Sequence, residues 1–124
     1  MSLSHIRLQL ARDHDFPQGS VERGYEFTAP LLADGRIDEK EWRANIDRCG
    51  VRRFWADQLD EVGHLIRKPG GAWAFHYDML GDADDDETGY RFGDHKFTPG
   101  EYVSIKEQDD VLRTFKVTFV GPVD

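Results

Sequence analysis

The chain is short of the residues that most often announce a function. It has one cysteine, Cys49, which excludes a disulfide within the chain and a cysteine-rich zinc site. It has four serines, Ser2, Ser4, Ser20 and Ser104, and none stands in the Gly-x-Ser-x-Gly elbow that presents a hydrolase nucleophile. There is no phosphate-cradling glycine loop and no dinucleotide-binding fingerprint. No apolar run approaches the roughly 20 residues that cross a bilayer as a helix. Met1 to Arg7 lack the apolar stretch of a signal peptide, so the cytoplasm is the expected compartment. Cations are also scarce. Sixteen basic residues face 24 acidic ones, a formal net charge of −8. That balance opposes the basic footprint by which proteins hold nucleic acid, and it opposes attraction to an anionic membrane surface. Neither is an expected partner.

Aromatic residues, by contrast, are plentiful. Eight Phe, four Tyr and three Trp in 124 residues supply large, rigid pieces for one modest core. The length fits a single domain, residues 1–124, and no linker or internal repeat divides it.

Period-2 patterning dominates. Ile6, Leu8 and Leu10 alternate with Arg7, Gln9 and Ala11, and Tyr25 and Phe27 share one face of an extended stretch from Val21 to Thr28 that Pro30 ends. Between them, residues 13–19 read as a loop. Strands are also expected at Val51 to Ala56, Tyr90 to Phe92 and His95 to Phe97. Val62 to Lys68 and Ala72 to Asp78 flank Pro69-Gly70-Gly71 as a hairpin. A three-residue loop there pairs Leu65 with Phe75, Arg67 with Trp73, Gly63 with Tyr77, Ile66 with Ala74 and His64 with His76. In the last hairpin, a loop at Asp109 to Val111 pairs Ile105 with Phe115 and Val103 with Val117. It puts Phe119 opposite Glu101 on the core face, and Tyr102 and Ser104 on the wetter one.

One helix interrupts the strands. Asp38 with Glu41 forms a capping box, and Ile37 with Trp42 has the spacing of a hydrophobic staple. Trp42, Ile46 and Cys49 follow at helical spacing before Gly50, predicting a helix from Glu39 to Arg48. The fold class is therefore mostly β: a small antiparallel barrel or sandwich of roughly six to eight strands with one short α-helix near residues 39–48. The segment Phe97 to Ile105, with its Pro99-Gly100 turn before alternating apolar residues, resembles an entry strand of SH3-like barrels, so an SH3-like form is one option. The whole chain, including Gly24-Tyr25-Glu26-Phe27, Arg52-Arg53-Phe54-Trp55 and Pro99 to Ile105, is similar to short uncharacterised bacterial proteins with no assigned function. That resemblance implies a compact stand-alone domain and transfers no activity, cofactor or catalytic residue.

Four constellations bear on chemistry. Cys49 shares the apolar helix face and reads as a buried small hydrophobe rather than a nucleophile. Asp82, Asp84 and Asp86 match the first ligand positions of a calcium loop, but Glu87 stands where glycine is needed and Gly93 where the bidentate glutamate belongs, so the run reads as solvated charge. Arg48, Arg52 and Arg53 form a basic cluster beside Trp55. They would receive a phosphate or carboxylate, or else Arg48 balances the helix C-terminus while the other two pair with nearby acids. His64 and His76 would face each other with Cα atoms about 4.5–5.5 Å apart. With Asp78 two residues on, they could hold a zinc or iron ion, or simply pack on the outer face of a sheet.

Function follows weakly from this. The favoured reading is a non-enzymatic binding or assembly module acting through a β-sheet surface, on a protein partner or a second copy in a homodimer. It uses no catalytic residue and no cofactor. A small metal- or ligand-binding protein built on the His64/His76 hairpin is the alternative. A small hydrolase or isomerase with carboxylate chemistry comes third.

Overall fold

The computed structural model describes residues 3–69, 72–77, 92, 95–107 and 111–123, and residues 87–90 as backbone. Eight strands form one antiparallel meander closed into a barrel: β1 Leu3–Leu10, β2 Ser20–Pro30, β3 Gly50–Trp55, β4 Glu61–Arg67, β5 Trp73–Tyr77, β6 Glu87–Tyr90, β7 Tyr102–Lys106 and β8 Leu112–Pro122. Each strand pairs with its neighbours in sequence, and β1 pairs with β8 from Ser4↔Pro122 to Leu10↔Phe115. The mostly β class is thus realised as a closed meander. The expected dimerisation through open strand edges loses its premise, because closure pairs both would-be edge strands.

Apolar side chains point inward. Ile6, Leu8, Leu10, Tyr25, Phe27, Leu65, Phe75, Phe115 and Val117 are all buried, as the alternation predicts. Phe27, Phe75, Phe92 and Phe97 pack ring against ring, with centroids 5.2–6.2 Å apart. The barrel is filled by side chains, as an eight-stranded closure this small allows.

The helix α1 covers one end of the barrel. It spans Glu39–Ala44, and the Asp38 side chain accepts from the Glu41 amide at 3.2 Å, the N-cap half of the expected capping box, while the Asp38 amide donates to the Pro30 carbonyl at 2.9 Å rather than to Glu41. Trp42 enters the core, donates from Nε1 to the Leu65 carbonyl at 3.0 Å and meets Trp73 edge-on at 5.0 Å. The helix is shorter than expected. Asn45 donates from its side chain to the Glu41 carbonyl at 2.8 Å and leaves helical geometry, so only a 3-10 turn follows, Ile46–Arg48. An asparagine that competes for backbone groups breaks a helix in this way. The break turns Ile46 outward while Cys49 stays fully buried.

The central hairpin has the expected register in every pair, from Gly63↔Tyr77 to Arg67↔Trp73, and the Lys68 amide bonds to the Ala72 carbonyl at 2.8 Å. The last hairpin differs. Val103 pairs with Phe115 and Ile105 with Arg113, because the Glu107 amide bonds to the Val111 carbonyl at 3.0 Å and closes the loop one residue earlier. Both partners slide together, so parity survives and Val103, Ile105, Phe115 and Val117 remain inside. Phe119 does not follow them. The register of β1 against β8 shifts between Arg7↔Phe119 and Leu8↔Val117, a bulge that flips Phe119 to the outer face, where its ring lies over Gly121. No strand forms at His95 to Phe97. Instead the Phe97 amide bonds to the Gly35 carbonyl at 2.7 Å and the ring inserts into the core.

Candidate functional site

Chemistry concentrates in two charged clusters and one groove. The first cluster is inside. At the barrel end opposite α1, Glu107 is buried and accepts from the Tyr25 hydroxyl at 2.5 Å. Arg53 approaches the same carboxylate at 3.5 Å, and Arg113 approaches it at 3.3 Å while donating to Asp13 at 2.8 Å and to Asp15 at 3.1 Å. Burial alone would lower the Arg113 pKa, but the hydrogen bonds to Asp13 and Asp15 and the charges of Asp13 and Glu107 outweigh it and raise it. Arg53 lies over the Trp55 ring at 4.2 Å and Arg23 over the Phe16 ring at 4.4 Å. The loop after β1 thereby closes this end of the barrel. Sequence patterning held a signal for the cluster: Glu107 and Arg113 stand at the same strand parity as Ile105 and Phe115, which places two charges on the core face.

The second cluster is outside. Glu26 accepts from His5 at 2.9 Å, pairs with Arg7 at 3.2 Å and hydrogen-bonds Arg52, which also holds Asp60 at 2.6 Å. Arg7 and Arg52 lie over Phe54 at 4.4 and 5.2 Å and bury an outward-facing ring. Burial, then the Arg52 charge, lowers the Arg7 pKa. The expected arginine cluster is therefore split by the strand: Arg52 points outward and Arg53 inward, each toward carboxylates, as alternation along β3 demands.

The histidines stand as the register predicts. His64 and His76 are direct partners across β4 and β5 on the outer face, both half-buried. Asp78 lies outside the described residues, as do Asp82, Asp84 and Asp86. Among the described residues no group of three or more His, Cys, Asp or Glu is placed to hold a metal ion. Cys49 is fully buried, and burial pushes its thiol pKa up to about 11. A thiol so raised is a poor nucleophile.

The groove lies on the outer surface, where the β1–β2 hairpin passes β8 and β7. Its volume is about 750 Å³, against about 360 Å³ for the shallower concavity beside Glu26. A bulge shapes it: Gln9 pairs with Gly24 but Leu10 pairs with Ser20, leaving Val21, Glu22 and Arg23 unmatched on β1. Close approach at the bulge explains Gly24, since a Cβ there would collide with the Leu8 carbonyl oxygen. Gln9, Tyr102, Thr114, Lys116 and Thr118 from the strands and Arg12, Gln18 and Val21 from the β1–β2 hairpin line it. Sequence reasoning missed this groove because a three-residue bulge leaves no period-2 trace.

No known protein family, curated protein or solved structure matches this chain. Among the described residues no helix is long and apolar enough to cross a membrane. The strands carry apolar residues inward and charges such as Arg7, Glu26, Arg52 and Lys116 outward, the inverse of a transmembrane barrel.

Proposed function

We propose that this chain is a small non-enzymatic binding or assembly module that acts through the outer face of its β-barrel, on a protein partner or a second copy, in the bacterial cytoplasm. The observation that carries the reading is the placement of open space. The barrel interior is occupied by packed rings and by the Glu107 cluster, while the 750 Å³ groove sits outside, on strands and the β1–β2 loop. Its lining includes Tyr102 and Val21, 53% and 68% exposed, surrounded by hydroxyl and amide side chains. Exposed apolar residues rimmed by polar ones are the composition of recognition surfaces. The net charge of −8 argues against nucleic acid or an anionic membrane as the partner. The test is a photo-crosslinking side chain at position 102, compared with position 59 on the β3–β4 turn, which does not line the groove, in living cells. A discrete adduct from position 102 that Thr118→Arg removes, and none from position 59, is expected. Adducts from neither position, or the same from both, would overturn the reading.

A metal-binding alternative is favoured by the direct pairing of His64 with His76. Zinc titrated calorimetrically into the chain should then give a saturable heat that His64→Ala with His76→Ala abolishes. Equal, weak heats from both proteins remove it. Carboxylate catalysis ranks last, because Glu107 is buried and Glu26 is engaged by three cationic or imidazole groups.

A further inference from the structure

We infer that the outer groove holds an extended peptide segment carrying two carboxylates among neutral polar residues. The inference rests on the binding-module reading above and names its partner. It starts from charge. In a chain with 24 acidic residues, none of the twelve that line this groove is Asp or Glu, and two are cations, Arg12 and Lys116.

Neither of those two cations has a carboxylate within 4 Å among the described residues. Of the arginines, Arg7 and Arg52 pair with Glu26, Arg36 with Asp34, Arg43 and Arg67 with Glu39, Arg53 with Glu107, and Arg113 with Asp13 and Asp15. Two exposed cations thus line one concavity whose lining holds no acid. An incoming carboxylate meets no repulsion inside the groove and finds donors ready there.

The remaining lining fits a backbone rather than a small molecule. Gln9 and Gln18 offer both donors and acceptors, while the hydroxyls of Ser20, Thr114 and Thr118, bonded to Glu22 and Arg23, to Ser104 and to the Arg7 carbonyl, keep only part of theirs. Such a mixture matches the alternating N–H and C=O groups of an extended chain. Tyr102 and Val21 offer apolar contact for the side chains between the carboxylates.

A second copy is the less suitable occupant. A two-fold dimer through this groove would set its lining against the same lining, which carries two cations and no acid. A head-to-tail contact would instead build a ring or a filament of many copies. A foreign acidic segment avoids both.

The experiment is selection of random octapeptides displayed on phage against the intact purified chain at about 0.15 M salt, where charges beyond about 8 Å are screened. Selected peptides are then synthesised and their affinities measured by fluorescence anisotropy. Enrichment of Asp or Glu at two positions is expected. Arg12→Glu with Lys116→Glu, both exposed and confirmed folded by circular dichroism, should weaken such a peptide at least tenfold. Replacing its two acids by lysine should restore binding to the reversed groove. Peptides without acidic preference that Thr118→Arg still blocks would overturn the carboxylate assignment while leaving the binding module standing. Binding insensitive to both sets of changes, or no selection above background, would overturn the inference. So would a concentration-dependent dimer in light scattering that Lys116→Glu dissolves, since the occupant would then be a second copy.

Discussion

Glu107 and Glu26 sit in clusters of nearly the same chemistry, yet the barrel wall makes them different objects. Each is a glutamate held by two arginines and a third donor, Tyr25 inside and His5 outside. Glu107 is 4% exposed, and its arginines are stacked on indole and phenyl rings. Glu26 is reached by water, and so are the arginines around it. Charges removed from water depend on one another, because a partner lost inside leaves an uncompensated ion, whereas water replaces a partner lost outside. Similar contact lists therefore carry unequal weight. The inner cluster closes a barrel end; the outer one shields Phe54 and sets the surface potential.

The comparison breaks first at Glu107. Glu107→Ala leaves Arg53 and Arg113 buried beside a void, and it is expected to cost about 3–5 kcal/mol in urea denaturation. A loss below about 1 kcal/mol would mean that water reaches the inner cluster and that the two glutamates are equivalent.

Cys49 sharpens the burial side of the argument without an ion pair. Its thiol, raised from 9.0 to about 11 by burial, stays protonated in the fold while the unfolded chain ionises. Stability from this group is whole below pH 9 and declines as pH rises toward 11. Cys49→Ser should flatten that decline in urea midpoints measured across the window. A wild-type midpoint flat from pH 9 to 11 would contradict the burial.

Smaller still is the helix cap. Asp38→Ala removes the bond to the Glu41 amide and is expected to cost about 1 kcal/mol, read as a lower denaturation midpoint. Glu26→Gln comes last. It should cost only about 0.2–1 kcal/mol, and the difference from wild type should shrink in high salt. An effect matching that of Glu107→Ala would erase the distinction between inside and outside.

Local patterning determined a good part of this molecule. The alternation of Ile6, Leu8 and Leu10, the parity of Tyr25 and Phe27, the cap at Asp38 and the pairing of His64 with His76 all depend on neighbours within a few residues or on one tight turn. Period and turn length suffice to read such features. Asn45 was legible in principle as a helix breaker, because its competition for the Glu41 carbonyl is local too.

Closure, bulges and charge burial were decided elsewhere. The pairing of β1 with β8 joins residues more than a hundred positions apart, and only the whole sheet's twist and strand count bring them together. Phe119 left the core because β8 had to realign on Leu8, a constraint set by β1 rather than by any residue near Phe119. The groove owes its shape to three residues of β2 that β1 does not match. Glu107, Arg113, Asp13 and Asp15 meet because the β1–β2 loop and the β7–β8 hairpin converge at one barrel end, and a sequence records what each side chain can do but not which distant partners the fold will bring within reach.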